Sequence, residues 1–167
     1  MNATTSRSAM LTLPTDETIH IVREFDAPRH LVWQRFTKPE LIRRWWHAKR
    51  GEMTVCEVDV RPGGAWRYAM VTPDGFEVAF HGTYLEVVPE ERLVTRDVYE
   101  GLPEGVSEEE GATTNSVTLV ESDGRTTVTW LITAANKTSR DAIVASGMED
   151  GLQDALDLAE QLAVALG

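Results

Sequence analysis

Residues 18–46 read TIHIVREFDAPRHLVWQRFTKPELIRRWW, and this stretch decides the fold. Its first eight residues largely alternate apolar and polar side chains, which predicts a half-buried first strand. Asp26 then precedes Ala27-Pro28, an N-cap followed by a proline in the first helical turn. Thr37-Lys38-Pro39-Glu40 has the form of a capping box, so a second short helix is expected at once. Two short helices directly after a first strand are an uncommon arrangement that narrows the choice of fold.

Further along the chain, the apolar residues recur with a period of two. This predicts six more strands, and the short turns of Pro, Gly and Asp between them indicate an antiparallel meander. The one long connection, residues 100–115, contains three glycines and five glutamates and is predicted to be a mobile acidic loop. The six strands are predicted at residues 52–58, 64–71, 76–87, 91–99, 116–121 and 125–134.

The C-terminal segment predicts one long helix with a single apolar stripe. Thr138-Ser139-Arg140-Asp141 forms a second capping box, and Gly147 and Gly151 predict either a bend or close packing inside the helix. Elements in this order predict an α+β fold, a curved seven-stranded antiparallel sheet wrapped around a long C-terminal helix. Residues 1–17 are predicted to be a flexible tail and residues 18–167 a single domain. The apolar stripe consists of Met148, Leu152, Ala155, Leu156, Ala159, Leu162 and Leu166.

Composition excludes several classes of function. The 167 residues carry a formal net charge of -11, which argues against a nucleic-acid partner. No apolar run is long enough to span a membrane, and no signal segment is recognisable. The only cysteine, Cys56, cannot form an internal disulfide and fits a cytoplasmic location. The histidines are scattered and no catalytic motif is present, so we expect no metal, no cofactor and no catalytic residue.

Several motifs, in their order along the chain, resemble those of one known group. The resemblance is to the activator of heat-shock-protein ATPase homologue-like (AHSA-like) group of the START/Bet v 1-like (SRPBCC) superfamily, and it runs from about Thr18 to the C-terminus. It implies the helix-grip fold, with a cavity between the curved sheet and the final helix. The motifs are Phe36-Thr37-Lys38-Pro39-Glu40 followed by Trp45-Trp46, Arg61-Pro62-Gly63-Gly64, residues 82–93 (GTYLEVVPEERL), Ser116-Val117-Thr118-Leu119 and Gly147-Met148-Glu149-Asp150-Gly151.

The resemblance does not imply one activity, because the superfamily includes lipid carriers, hormone-binding proteins, polyketide aromatases and cyclases, and co-chaperones. The leading hypothesis is that the protein binds a small hydrophobic or amphipathic ligand in this cavity, as a carrier or sensor. Two alternatives stay open: a polyketide aromatase or cyclase-like enzyme, and a co-chaperone-like stress-response protein. Chaperone activators of the eukaryotic type carry a further N-terminal domain, for which a chain of 167 residues is not expected to have room. A second copy of the chain, in a homodimer, is a further candidate for a binding partner. Leu152 stands where the group often has Trp. This difference is expected to enlarge or reshape one end of the cavity.

Strand parity and helical spacing select the candidate lining of that cavity. Large aromatic and methionine side chains suit an apolar guest, although the same residues also serve simply to fill a core. Gly82 is a candidate bulge that would reverse the facing of the residues after it. The candidate lining residues are Trp46, Trp66, Tyr68, Met70, Phe76, Val78, Phe80, Asp97, Tyr99, Trp130, Met148, Leu152 and Leu156.

Two polar features have two interpretations each. Asp97 is either a polar anchor or acid facing the ligand, or a strand residue bonded to Arg96, Arg67 or water. The enzyme alternative would use Asp97, His81 or Tyr68 as general acid or base. The basic residues 43–50 either attract an anionic head group or nucleic acid, or form the solvated face of the second helix.

Overall fold

The computed structural model describes residues 9–166, which form one antiparallel sheet and five helices. The elements are β1 (Met10–Thr12), β2 (Thr18–Phe25), α1 (Arg29–Thr37), α2 (Pro39–Ile42), β3 (Glu52–Val58), β4 (Ala65–Val71), β5 (Glu77–Val88), β6 (Arg92–Tyr99), α3 (Glu108–Gly111), β7 (Thr113–Ser122), β8 (Arg125–Thr133), α4 (Lys137–Ala145) and α5 (Met148–Leu166). The order of strands in the sheet is β1-β2-β8-β7-β6-β5-β4-β3. The prediction of an α+β helix-grip fold is confirmed.

The sheet has one strand more than the seven predicted. Strand β1 lies within the segment predicted to be a flexible tail, and it pairs with β2, Met10 opposite Val22. The backbone of Ala9 also exchanges two hydrogen bonds of 2.9 Å with the side chain of Gln153 on α5. Residues 9–12 are therefore part of the fold. The tail prediction concerns residues 1–8 as well, which lie outside the described residues, and the side chain of Leu166, predicted for the apolar stripe, is not described either.

The helix starts differ from the capping predictions. Helix α1 follows Pro28 without a side-chain cap, and the Thr37 hydroxyl donates to the carbonyl of Trp33 instead of capping α2. Asn136, not Thr138, caps α4, because its Oδ1 accepts from the backbone N of Ser139 at 2.8 Å. The predicted single C-terminal helix is two helices, which separate at Gly147 with a φ of 83°.

The main core lies between the concave face of the sheet and helices α1 and α5. Ile19, Ile21 and Phe25 on β2 are fully buried there, together with Leu156 and Ala159 on α5. Successive side chains of β2 point to opposite faces of the sheet, so one side of this strand faces the core, as the sequence pattern predicts. Within residues 9–166, no helix has the length and apolar character needed to cross a bilayer.

Two buried arginines attach α5 to the rest of the fold. The guanidinium of Arg23 on β2 lies 2.9 Å from Asp157 and 2.9 Å from Glu160. Arg35 on α1 donates from Nη2 to the carbonyl of Leu162 at 3.3 Å, where the C-terminal end of a helix favours a cation. Both arginine side chains are almost completely buried. They hold α5 in place along one side of the concave face.

Candidate functional site

The concave face carries a continuous set of aromatic rings, which we call the aromatic wall. The ring of Trp46 lies 5.5 Å from that of Tyr68 and 5.8 Å from that of Phe80. Trp66 follows at 4.8 Å from Tyr68, and Tyr99 at 5.0 Å from Phe80. These separations are typical of favourable edge and tilted aromatic contacts. Five of the predicted lining residues are thus brought together, from the segment after α2 and from β4, β5 and β6.

Most of the aromatic wall retains accessible surface. Trp46, Tyr68 and Phe80 pack against the main core and are still reached by water, whereas a well-packed core leaves few voids larger than a water molecule. Met148 and Leu152 of α5 also pack against the main core while keeping accessible surface. The predicted lining residues in this half-buried class are Trp46, Tyr68, Val78, Phe80, Asp97, Tyr99, Trp130, Met148 and Leu152.

Four other predicted residues are placed differently. Phe76 precedes β5 in a turn and is 59% exposed, so it does not share a face with Phe80 as its spacing suggested. Leu156 is 1% exposed and fills the core. Trp66 is buried within the aromatic wall, and Met70 is buried in a second, smaller cluster that includes Ile42 and Cys56.

Asp97 is an acidic residue on the concave face, opposite Gly82 and in line with Trp66. Its Oδ1 accepts a hydrogen bond of 2.6 Å from the hydroxyl of Thr95. Burial raises the pKa of the carboxyl to about 6, although hydrogen bonds from Thr95 and Asn115 act in the opposite direction. Arg67 does not pair with Asp97 but with Glu100, at 2.9 Å. The carboxyl is therefore half-protonated near pH 6 and mostly ionised at pH 8, so it donates or accepts a hydrogen bond according to the pH.

Tyr84 was missed by the sequence analysis. The hypothesis of a bulge at Gly82 made the facing of Tyr84 uncertain, but the register shift lies between Tyr84 and Glu86. Tyr84 therefore stays on the concave face, where burial raises its pKa to about 12. Strand parity from Phe80 alone would have identified it. Burial also raises the pKa of Tyr68 well above its ordinary value, and the two tyrosines influence each other.

His81 lies on the opposite, convex face of the sheet and does not join Asp97. Its Nδ1 is 3.1 Å from Glu100 and its Nε2 is 2.8 Å from Glu108 of α3. These carboxylates raise the pKa of the imidazole, and a groove of about 570 Å³ opens beside them. The segment predicted to be a mobile acidic loop thus contains a short helix and contacts the convex face. His81 therefore does not face the interior and is not a candidate acid for the ligand site.

The basic residues 43–50 are arranged largely as the solvated face of a helical segment. Arg43, Arg44 and Lys49 are exposed, and Arg50 reaches Asp154 on α5 at 3.2 Å. Trp45 is buried and donates from its indole to the carbonyl of Arg35 at 2.8 Å. Within the described part of the chain, no group of three or more His, Cys, Asp or Glu side chains is arranged to hold a metal ion.

Replacement of Asp97 by Asn is expected to stabilise the protein at pH 8 and not at pH 3.5. The pKa of this carboxyl is raised from 3.8 to about 6 in the folded protein. The folded state therefore holds the proton more tightly than the unfolded chain, and this stabilisation, complete below about pH 4, is lost as the pH rises through about 6. The expected gain at pH 8 is up to about 3 kcal/mol, measured by urea unfolding at both pH values.

Glu57→Gln, on the exposed side of β3, is the control for this prediction. We expect it to change the free energy of unfolding by less than about 0.5 kcal/mol at either pH. An Asp97→Asn protein that is less stable than wild type at pH 8 would show that the ionised carboxylate is a stabilising group, contrary to the desolvation argument.

Comparison with known proteins supplies a family. A family model described as "Activator of Hsp90 ATPase homolog 1-like protein" matches residues 26–166. No curated protein sequence matches the chain. A solved structure from Rhodobacter sphaeroides is similar with a TM-score of 0.85 and 23% identity, covering 95% of this chain and 99% of that one. One from Mycobacterium smegmatis has a TM-score of 0.81 and 26% identity, with the same coverage. The AHSA1-like protein of Aeromonas hydrophila has a TM-score of 0.64 and 23% identity, covering 89% and 94%.

Proposed function

The chain belongs to the Activator of Hsp90 ATPase homologue 1-like family, and from this premise we propose that it binds a small hydrophobic or amphipathic ligand between the concave face of the sheet and α5. The observation that carries the proposal is the half-buried state of the aromatic wall and of the facing α5 residues Met148 and Leu152. A cytoplasmic location, which the single cysteine favours, fits a carrier or sensor of this kind.

The surface available is chemically suited to such a guest. Aromatic rings and methionine provide broad, adaptable apolar contacts. Transfer of each methylene from water contributes about 0.8 kcal/mol, so burial of an apolar body of about ten carbons contributes about 8 kcal/mol to the free energy of binding before other losses. Loss of rotational and translational freedom offsets a large part of this contribution. We therefore expect dissociation constants in the micromolar range.

Leu152→Trp is expected to weaken ligand binding by about tenfold, or about 1.4 kcal/mol. Leu152 is half-buried on the inner side of α5, where a larger ring would occupy the space proposed for the ligand. The probe is N-phenyl-1-naphthylamine, an uncharged dye whose fluorescence rises in apolar surroundings. Titration of the purified protein with this dye gives the dissociation constant directly.

Leu131→Trp is the matched control, since Leu131 lies on the convex face of β8 and is 37% exposed. The same change of side chain there should leave the dissociation constant within about twofold of wild type. Saturable binding that is unaffected by Leu152→Trp would place the dye elsewhere on the protein. An absence of saturable binding to the wild-type protein would refute the proposed function.

A second candidate, an enzyme of the aromatase or cyclase kind, is favoured by one observation. Asp97 has a pKa of about 6 and faces the same interior as Tyr68 and Tyr84, which suits a general acid or base near neutral pH. Such an enzyme would lose turnover in Asp97→Asn while retaining the dye. The family description names a chaperone ATPase; stimulation of that ATPase by a variant unable to bind the dye would favour the co-chaperone alternative.

A further inference from the structure

Two buried hydrogen-bond donors on the concave face lack an acceptor within the described part of the chain. The indole Nε1 of Trp66 and the hydroxyl of Tyr84 find no acceptor there, although Trp66 is only 6% and Tyr84 only 2% exposed. The hydroxyl of Tyr68 acts on Tyr84 as a donor, which leaves the Tyr84 proton free to be donated. A buried donor without an acceptor is destabilising, and native proteins pair most such groups. A ligand that brings a hydrogen-bond acceptor to these two donors would therefore be bound more tightly.

Cross-strand register places the two donors around Asp97. Trp66 lies opposite Gly82 on β5, and Gly82 lies opposite Asp97 on β6. Gly82 has no side chain, and Trp66 Nε1 lies 2.9 Å from the position that a Cβ would occupy there. Tyr84 lies opposite Thr95, whose hydroxyl donates to Asp97. We call Trp66, Tyr84, Thr95 and Asp97 the inner polar cluster.

The inner polar cluster contains one acidic group and no basic one. The groups that lower the pKa of Asp97 are the side chains of Thr95 and Asn115, with no cation among them. Arg67 and Arg96 alternate with the cluster residues along β4 and β6 and so face the convex side, where Arg67 pairs with Glu100. An anionic head group at the cluster would therefore meet a carboxylate with no cation to offset the repulsion.

We infer that the inner polar cluster binds an uncharged oxygen of the ligand, a carbonyl or a hydroxyl, while the aromatic wall contacts its apolar body. This inference rests on the proposed ligand-binding function. A carbonyl oxygen has two lone pairs and accepts from the indole N–H and the phenol O–H together, whereas a hydroxyl accepts from one donor and donates to Asp97. An ammonium group would pair with Asp97 but leave both donors without an acceptor. The ligand class is thus neutral and mostly apolar, with one oxygen function.

The experiment compares three compounds that share one apolar body: 2-acetylnaphthalene, 2-ethylnaphthalene and 2-naphthoate. Each is used to displace N-phenyl-1-naphthylamine from the wild-type protein at pH 8. We expect 2-acetylnaphthalene to bind about tenfold more tightly than 2-ethylnaphthalene, because only the ketone satisfies the two donors. The anionic 2-naphthoate should bind most weakly of the three.

Two variants then test whether the cluster causes this preference. Tyr84→Phe and Trp66→Phe should each reduce the preference for the ketone by about threefold, and the double variant should abolish it. Binding of 2-ethylnaphthalene should stay within about threefold of wild type. Tyr84→Phe removes a hydroxyl that donates to no acceptor, so this variant should lose little stability. Trp33→Phe, at a half-buried position on α1 that does not belong to the aromatic wall, is the matched control and should leave the preference unchanged.

The outcomes separate this inference from the proposed function. Equal binding of 2-acetylnaphthalene and 2-ethylnaphthalene by the wild-type protein would overturn the inference and keep the ligand-binding function. The two donors would then bind water and not the ligand. A preference for the ketone that survives in Tyr84→Phe and in the double variant would overturn it as well. Failure of the dye and of all three compounds to bind would overturn both.

Discussion

A protein with Asp157→Asn and Glu160→Gln together is expected to lose about 3–5 kcal/mol of its free energy of unfolding. The two carboxylates are the ion-pair partners of Arg23, whose side chain is fully buried. Their removal leaves a guanidinium in the interior without a compensating charge. Since domains of this kind are stable by about 5–15 kcal/mol, the loss is a large fraction of the total. Urea unfolding followed by tryptophan fluorescence measures it.

Arg23→Met is the matched variant, and it should cost clearly less. Methionine keeps much of the apolar volume beside Phe25, and the carboxylates left behind are 30% and 17% exposed and can be hydrated. The expected order, removal of the acids worse than removal of the base, follows from the difference in burial. The opposite order would mean that the packing of the Arg23 side chain, not its charge, holds α5 to β2.

Gly82→Ala is expected to prevent stable folding or to cost more than about 4 kcal/mol. A Cβ on Gly82 would overlap the carbonyl oxygen of Arg96 on the neighbouring strand, and a backbone atom in a central strand cannot move aside without breaking the pairing of β5 with β6. The change would also press on the indole of Trp66. Circular dichroism and the yield of soluble protein report the result.

Gly151→Ala is the control for this change. Gly151 lies in α5, and the nearest atom to an added Cβ is Nε of Arg50 at 3.5 Å, an ordinary van der Waals contact. Alanine is preferred to glycine in a helix by about 1 kcal/mol, so this variant should be slightly more stable than wild type. Similar behaviour of the two alanine variants would contradict the steric argument for Gly82.

The strands were largely predictable because their pattern is local. Alternation of apolar and polar residues located β2 and β3 to the residue and most others to within one residue, with the start of β7 three residues off. Strand β1 was not predicted, because three residues are too few to show a periodic pattern and because its pairing depends on β2. The caps were misplaced because several adjacent polar residues, such as Asn136 and Thr138, are each able to cap the same helix.

The polar part of the candidate site was less predictable because it depends on contacts between distant segments. Nothing local to Arg23 indicates that Asp157 and Glu160 will meet it, more than 130 residues later. The inward position of Tyr84 depends on where the register of β5 and β6 shifts. Asp97 was identified from parity, but its proton affinity follows from burial that only the folded chain creates.

The pairing of β2 with β8 has a consequence for the order in which the chain folds during synthesis. Strands β3 to β7 follow one another as neighbours in the sheet, so each can find its partner soon after leaving the ribosome. The second strand must wait for roughly 100 further residues, on the order of ten seconds at ordinary elongation rates. During that interval β2 has only the three residues of β1 as a pairing strand, and no terminal helix covers Ile19, Ile21 and Phe25. The nascent protein thus exposes its most buried strand for longest.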